Sequence, residues 1–305
     1  MDILNDSLTD EQLIYAEDKI QEKVISMKPL LGGATNKTYE VLSDSGKKYT
    51  LRIPGKDTNQ YIDRYNEMYN ISKAGKLGII PKVICADSQT GVLIMEYVEN
   101  STPCSVEKLH QRKTLQYICN ALFTLHTSGI KFENEFNIST MRDMYRKYLL
   151  EIGGKIPDAL LKVEHQMDEW VKYLYKNYPK ELVSCHIDPK LNNFLQKGDK
   201  IYFIDWEYSG MADLYFELAN FVLTNNLASN DEKIFIEVYC KTSGIDFIRE
   251  KYLLYKMATD YLWVYWHLIK LQQNYMVKYN EMGWQKRLRR AEKVLTLIED
   301  ESEIK

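Results

Sequence analysis

The segment Cys185-His186-Ile187-Asp188-Pro189-Lys190-Leu191-Asn192-Asn193-Phe194 concentrates residue types that could do chemistry. Transfer of a phosphoryl group needs a carboxylate to orient the attacking hydroxyl and accept its proton, and an oxygen ligand for magnesium a few residues on. Asp188 and Asn193, five apart, have that relation. Twelve residues beyond Asn193 lies Ile204-Asp205-Trp206-Glu207-Tyr208-Ser209-Gly210, after a strand-like run. A carboxylate there would add a second oxygen ligand for the same cation. Asp188, Asn193, Asp205 and Lys190 are therefore the catalytic candidates, with Asn193 and Asp205 as the metal ligands. The competing structural readings are a solvated loop with a capping Asp188, and an Asp205 that caps the helix near residue 212.

A nucleotide site is expected upstream. Leu31-Gly32-Gly33-Ala34-Thr35-Asn36 lies between two strand-like runs, where small residues let backbone amides approach phosphate. Any tight hairpin also uses glycines, so position carries the argument for Gly33, Thr35 and Asn36. Arg52, in Leu51-Arg52-Ile53-Pro54-Gly55, offers a bidentate phosphate contact. Its partner is expected on the following helix, which carries Asp63 and Glu67; Glu67 is central and has the longer reach. The backbone of Glu96 and Val98, at the end of the last strand of this region, is expected to bind adenine. ATP and Mg2+ are thus the implied cofactors. No GxxxxGK[ST] is present, which argues against a P-loop. The short stretch between Asp205 and the next helix leaves no room for a substrate-binding activation segment, which argues against a protein substrate.

The elements that must position these residues follow from periodicity. Residues 7–23 read as a helix, and 24–27, 38–42 and 48–53 as an antiparallel meander rich in β-formers. A helix over 58–75 and strands at 82–86 and 92–97 complete a five-stranded sheet with an inserted helix. Helices then dominate, at 105–128, 139–151, 158–178, 212–227, 230–242, 247–275 and 281–299, interrupted by short strands within 182–204. The expected fold is α+β and bilobal. Residues 1–98 form a nucleotide-binding lobe with the antiparallel sheet, and 99–305 a larger, mainly helical catalytic and substrate-binding lobe.

Composition narrows the class. With 45% hydrophobic and 27% charged residues among 305, the chain has the balance of an ordinary globular protein. A net charge of −3 without a basic block argues against a nucleic-acid partner. No apolar run is long enough for a membrane span and no leader pattern opens the chain, so no membrane insertion and a cytoplasmic location are expected. Five scattered cysteines without a CxxC pair read as reduced structural thiols. A homodimer is compatible with the sequence. Tyrosine is abundant, at 23 residues, and fits either half-buried helix surface or a wall for a cationic ligand.

The spacing of Asp188 and Asn193 is also that of the protein-kinase catalytic loop, which has a His two before the Asp and a Lys two after it; His186 and Lys190 hold those places. More specifically, the chain resembles the choline/ethanolamine kinases, a branch of the protein-kinase-like small-molecule kinases that includes the aminoglycoside phosphotransferases. The resemblance rests on Gly-Gly-Ala-Thr-Asn at 32–36, Leu-Arg-Ile-Pro-Gly at 51–55, Cys-His-Ile-Asp at 185–188, Ile-Asp-Trp-Glu-Tyr-Ser-Gly at 204–210, and Trp263-Val264-Tyr265-Trp266. It implies an ATP-dependent kinase that phosphorylates choline. Asp188, Glu207, Tyr208, Trp263, Trp266 and Tyr275 would then meet the substrate, because a trimethylammonium group relies on aromatic faces and carboxylates. Lys190 departs from the eukaryotic pattern of an uncharged polar residue, and its contact with the γ-phosphate is inferred from protein-kinase geometry. Two other readings stay open: a kinase for ethanolamine, thiamine or an aminoglycoside, and a nucleotide-binding pseudokinase. Two tryptophans three apart also share one helix face and could pack as core.

Overall fold

Thr9 and Gln12 open the first helix reciprocally. In α1 (Asp10–Ile20) the Thr9 hydroxyl accepts from the Gln12 N–H at 3.2 Å, and the Gln12 side chain accepts from the Thr9 N–H at 3.1 Å. The computed structural model describes residues 9–30, 36–55, 58, 62–109 and 111–303. After α1 come β1 (Val24–Leu30), β2 (Asn36–Ser43), β3 (Lys48–Pro54), α2 (Arg64–Ala74), β4 (Val83–Ala86), β5 (Leu93–Glu96) and the short β6 (Thr102–Pro103). The first five strands pair antiparallel in the order β1-β2-β3-β5-β4. The period of two divides the faces. Tyr39, Val41, Tyr49, Leu51, Ile53, Val92 and Ile94 form a buried cluster with Ala16 and Ile20 of α1, so Thr38, Thr50, Arg52, Leu93 and Met95 point to the other face.

The chain continues through α3 (Val106–Leu109), α4 (Arg112–His126), α5 (Ile138–Glu151), α6 (Asp158–Asn177) and β7 (Leu182–Cys185), then the hairpin β8 (Phe194–Lys197) and β9 (Lys200–Phe203). It ends with β10 (Gly210–Asp213), α7 (Leu214–Thr224), α8 (Ser229–Ser243), α9 (Arg249–Gln272) and α10 (Val277–Glu303). The described residues separate into two compact units: one runs to Ser105 and includes Asn192–Glu207, the other comprises Val106–Leu191 and the chain from Tyr208 on. The hairpin joins the first unit by backbone bonds, because β6 pairs with β8 and the Phe203 N–H donates to the Ile79 carbonyl at 2.6 Å. The division at residue 98 expected from sequence counts this hairpin with the helical region.

Of the element boundaries that differ from the sequence expectation, three have a clear local cause or consequence. The helix expected over 58–75 begins at Arg64, because the Asp63 carboxylate caps it by accepting from the Asn66 N–H at 3.1 Å. The helix expected over 212–227 is preceded by a strand, with Met211 and Ala212 paired to Ser184 and Val183, and Asp213 is the cap that starts α7. The helix expected over 105–128 is divided into α3 and α4. In the second unit α9 is the central helix, packed against α5, α6, α7 and α10. α7 is buried on every side from Leu214 to Leu223, as its sequence Leu-Tyr-Phe-Glu-Leu-Ala-Asn-Phe-Val-Leu requires apart from two charged or amide residues, Glu217 and Asn220. The five cysteines are free thiols, and no helix of the described residues is long and apolar enough to cross a membrane.

Candidate active site

The β8–β9 hairpin explains how two residues twelve apart can act on one ion. Phe194 pairs with Phe203 with their rings stacked at 4.5 Å, so Asn193 and Ile204, just outside that pair, face each other, and the Ile204 N–H donates to the Asn193 carbonyl at 2.9 Å. Asp205 follows with a left-handed backbone, φ +64°, an arrangement that disfavours most side chains by about 1–3 kcal/mol and needs support. Trp206 gives that support: it is buried, and its indole N–H donates to the Phe203 carbonyl at 3.2 Å.

Across the same unit, Arg52 of β3 is 5% exposed and lies against Glu67 of α2, with Nη1 2.5 Å from Oε1, and 3.5 Å from Asp205 Oδ1. Arg64 holds the other Glu67 oxygen at 2.6 Å. Asp63 is taken up as the α2 cap, so Glu67 is the partner of Arg52. Burial favours the neutral guanidine, but the charges of Glu67, Asp205 and Glu207 outweigh it and hold the Arg52 pKa above its ordinary value. Among the described residues neither Nε nor Nη2 of Arg52 has a hydrogen-bond partner. Buried donors without acceptors are expensive, and an anion delivered by a ligand would satisfy them.

Arg52 and Asp205 line a cavity of about 390 Å³ together with Leu93, Met95, Tyr97 and Val98. Asn36, Asn193 and Asp205 share its wall. The Glu96 side chain is exposed and paired with Lys82 at 2.9 Å, which leaves only its backbone for a base. Asn36 donates to Glu207 Oε2 at 2.9 Å and to Asp205 Oδ1 at 3.4 Å. Glu207, 4.0 Å from Arg64, thus belongs to this anionic network within the first unit. Gly33 and Thr35 lie outside the described residues. For magnesium, the donor set fits: a carboxylate and an amide oxygen on one cavity wall are hard oxygen ligands of the kind the ion takes.

The second unit carries Asp188. Ile187, before it, has φ +72°, which is unusual for a β-branched residue. Three residues of α7 and its end restrain the loop. Glu217 Oε1 accepts from the Ile187 N–H at 2.7 Å, Asn220 Nδ2 donates to the Ile187 carbonyl at 2.5 Å, and Asn225 clasps the Pro189 carbonyl and the Leu191 N–H at 2.9 Å each. Glu217 is itself fixed by His126 Nε2 at 2.6 Å, whose Nδ1 lies 2.6 Å from the Tyr239 hydroxyl. The Asp188 carboxylate is paired with Lys190 Nζ at 2.9 Å. Neighbouring Cys185 is fully buried, which pushes its thiol pKa up and keeps it unreactive.

The aromatic candidates of this unit gather on one side of α9. Trp263 and Tyr208 meet edge to face at 5.6 Å, and the Trp266 indole N–H donates to the Tyr208 hydroxyl at 3.0 Å. The Trp266 ring has Lys190 Nζ 5.8 Å and Lys270 Nζ 5.6 Å from its centroid, and Lys270 also lies 5.9 Å from the Tyr275 ring. Trp263 is 6% exposed and Trp266 half-buried, so the two tryptophans differ in what they can offer a ligand. Sequence reasoning missed Glu217, Asn220 and Asn225. The signal available was two polar residues three apart inside an otherwise apolar helix, where an unpaired polar group would be costly.

Comparison with known proteins adds a family. Residues 27–291 match the family model described as choline/ethanolamine kinase. Protein LicA of Haemophilus influenzae is 28% identical over 240 residues, 75% of this chain and 88% of the relative. The crystal structure of choline kinase LicA from Streptococcus pneumoniae is similar with a TM-score of 0.80 and 28% identity, covering 94% of this chain and 98% of that one. A LicA crystal structure in complex with AMP superposes with a TM-score of 0.74 at 25% identity, over 94% of this chain and 100% of the other.

Proposed function

The chain belongs to the choline/ethanolamine kinase family, and from that membership we propose that it transfers the γ-phosphate of ATP to the hydroxyl of choline, giving phosphocholine and ADP. Its fold is α+β and protein-kinase-like, and its activity is phosphotransfer to an alcohol acceptor. The observation that carries the choice of substrate is Trp266, whose ring stands within 6 Å of two lysine ammonium groups, the contact an aromatic face offers any cation. Choline would present its trimethylammonium to that face, with Tyr208 and Tyr275 beside it and the buried Trp263 behind.

In the proposed reaction Asp188 accepts a hydrogen bond from the substrate hydroxyl and takes its proton as the oxygen attacks the γ-phosphorus. The new O–P bond forms as the bond to the β–γ bridging oxygen breaks, and ADP leaves. Arg52 binds phosphate with its two unpartnered nitrogens, held in place by Glu67. Asn193 and Asp205 would hold magnesium, which neutralises charge on the β- and γ-phosphate oxygens when bound. Lys190 is proposed to contact the γ-phosphate, and the backbone at Glu96 and Val98 to receive adenine. A kinase that draws on the ATP pool works in the cytoplasm, and we place it there on that ground.

Three outcomes test this reading. Arg52→Lys keeps the charge beside Glu67 but loses the planar fork, so the ATP KM should rise about tenfold while the choline KM stays put. An unchanged ATP KM would remove Arg52 from the phosphate site. Trp266→Ala should raise the choline KM about tenfold, the equivalent of losing about 1–2 kcal/mol of cation–π contact, with the ATP KM steady. Across choline, ethanolamine, thiamine and an aminoglycoside, ATP consumption should give choline the highest kcat/KM, because a smaller ammonium fills an aromatic face poorly and prefers hydrogen-bond acceptors. A better rate on any of the others overturns the substrate.

A further inference from the structure

Asn220 of α7 stands between the aromatic side of α9 and the peptide that precedes Asp188. It is fully buried, and its amide is used on both ends. Oδ1 accepts from the Trp263 indole N–H at 3.1 Å and from the Thr224 hydroxyl at 2.8 Å, while Nδ2 donates to the Ile187 carbonyl at 2.5 Å. The two ends of an amide differ only in which atom donates, so something must select the orientation. The Thr224 hydroxyl cannot, because it donates or accepts as its partner demands. Two partners can: the indole N–H only donates and demands Oδ1, and the Ile187 carbonyl only accepts and demands Nδ2. With Oδ1 fixed toward Trp263, Nδ2 faces the Ile187 carbonyl. That bond supports a β-branched residue at φ +72°, one position before the catalytic carboxylate.

We infer that Asn220 is a positioning residue for phosphoryl transfer: the Trp263 indole N–H anchors its amide from one side, and the amide holds the Ile187 peptide and hence the aim of Asp188. Trp263 thereby acts through its N–H on turnover, separately from any contact its ring makes with the substrate. The inference rests on the proposed choline phosphorylation. It goes beyond it in giving a tryptophan next to the amine site an effect on kcat.

Three variants test it, each measured for kcat, choline KM, nucleotide affinity and melting temperature. Trp263→Phe keeps an aromatic face and loses the N–H together with part of the ring's volume, which the melting temperature registers separately. It should lower kcat about tenfold with the choline KM changed less than about threefold. Asn220→Asp keeps an acceptor for Trp263 but turns an oxygen toward the Ile187 carbonyl, and should lower kcat about a hundredfold with nucleotide affinity retained. The double variant should be no slower than Asn220→Asp alone, since both changes break one relay. Independent effects that multiply would overturn the coupling, as would a Trp263→Phe enzyme whose KM rises at unchanged kcat. Should Asn220→Asp fail to fold, the kcat and KM of Trp263→Phe decide the matter alone. A wild-type enzyme inactive on every amino alcohol would instead sink the substrate reading, a result distinct from an active enzyme indifferent to the indole N–H.

Discussion

Asp188→Asn should lower kcat about a thousandfold while leaving nucleotide affinity within a few-fold of wild type. A positioned general base contributes on the order of 10²–10⁴ in rate, and the amide that replaces it accepts no proton. The fold should survive. Asparagine has nearly the same volume, and the loop is held through the backbone of Ile187, Pro189 and Leu191 by Glu217, Asn220 and Asn225, not through the Asp188 carboxylate. The lost ion pair with Lys190 adds little, because the lysine side chain is 38% exposed. Steady-state kinetics with a nucleotide-binding titration separate the two effects. Turnover near wild type would remove Asp188 from the chemistry.

Asp205→Ala should reduce kcat/KM for ATP roughly 10²–10³-fold, the size of effect expected when a charge-stabilising group is removed from phosphoryl transfer. Its mark is the magnesium dependence. In the wild type, ATP affinity should rise with magnesium; in the variant that rise should be largely lost, because the proposed site would keep only the neutral oxygen of Asn193. Structural collapse is not expected to confuse the result. Arg52 loses a partner at 3.5 Å but retains Glu67 at 2.5 Å, and Asn36 retains Glu207 at 2.9 Å. An ATP affinity with the wild-type response to magnesium would move the metal elsewhere.

The five-residue step from Asp188 to Asn193, the placement of Asp205 after a strand, and the β-rich runs that make the first sheet were legible in the sequence, because each depends on residues close together in the chain. The structure then shows strand alternation separating Arg52 from the apolar face formed by Leu51 and Ile53. Helix starts were less legible. Whether Asp63 caps α2 or faces Arg52 depends on where the helix begins, and the capping bond to the Asn66 N–H settled that in favour of Glu67. Ala212 and Asp213 read as helix until their pairing with β7 is seen, since a four-residue segment has no period of its own.

What the tertiary structure alone decided is the support of the loop that carries Asp188 and the difference between the two tryptophans. Glu217 and Asn220 bond to Ile187 from thirty and thirty-three residues away, and no local pattern specifies which distant peptide a buried side chain will meet. Trp263 and Trp266 share a helix and a residue type, yet packing buries the first and ties its N–H to Asn220, while the second keeps a ring face near two lysine ammonium groups. Spacing along the chain names the groups able to do the chemistry. Which of them are held still, and by what, is set by long-range packing, where each buried polar group must find its partner.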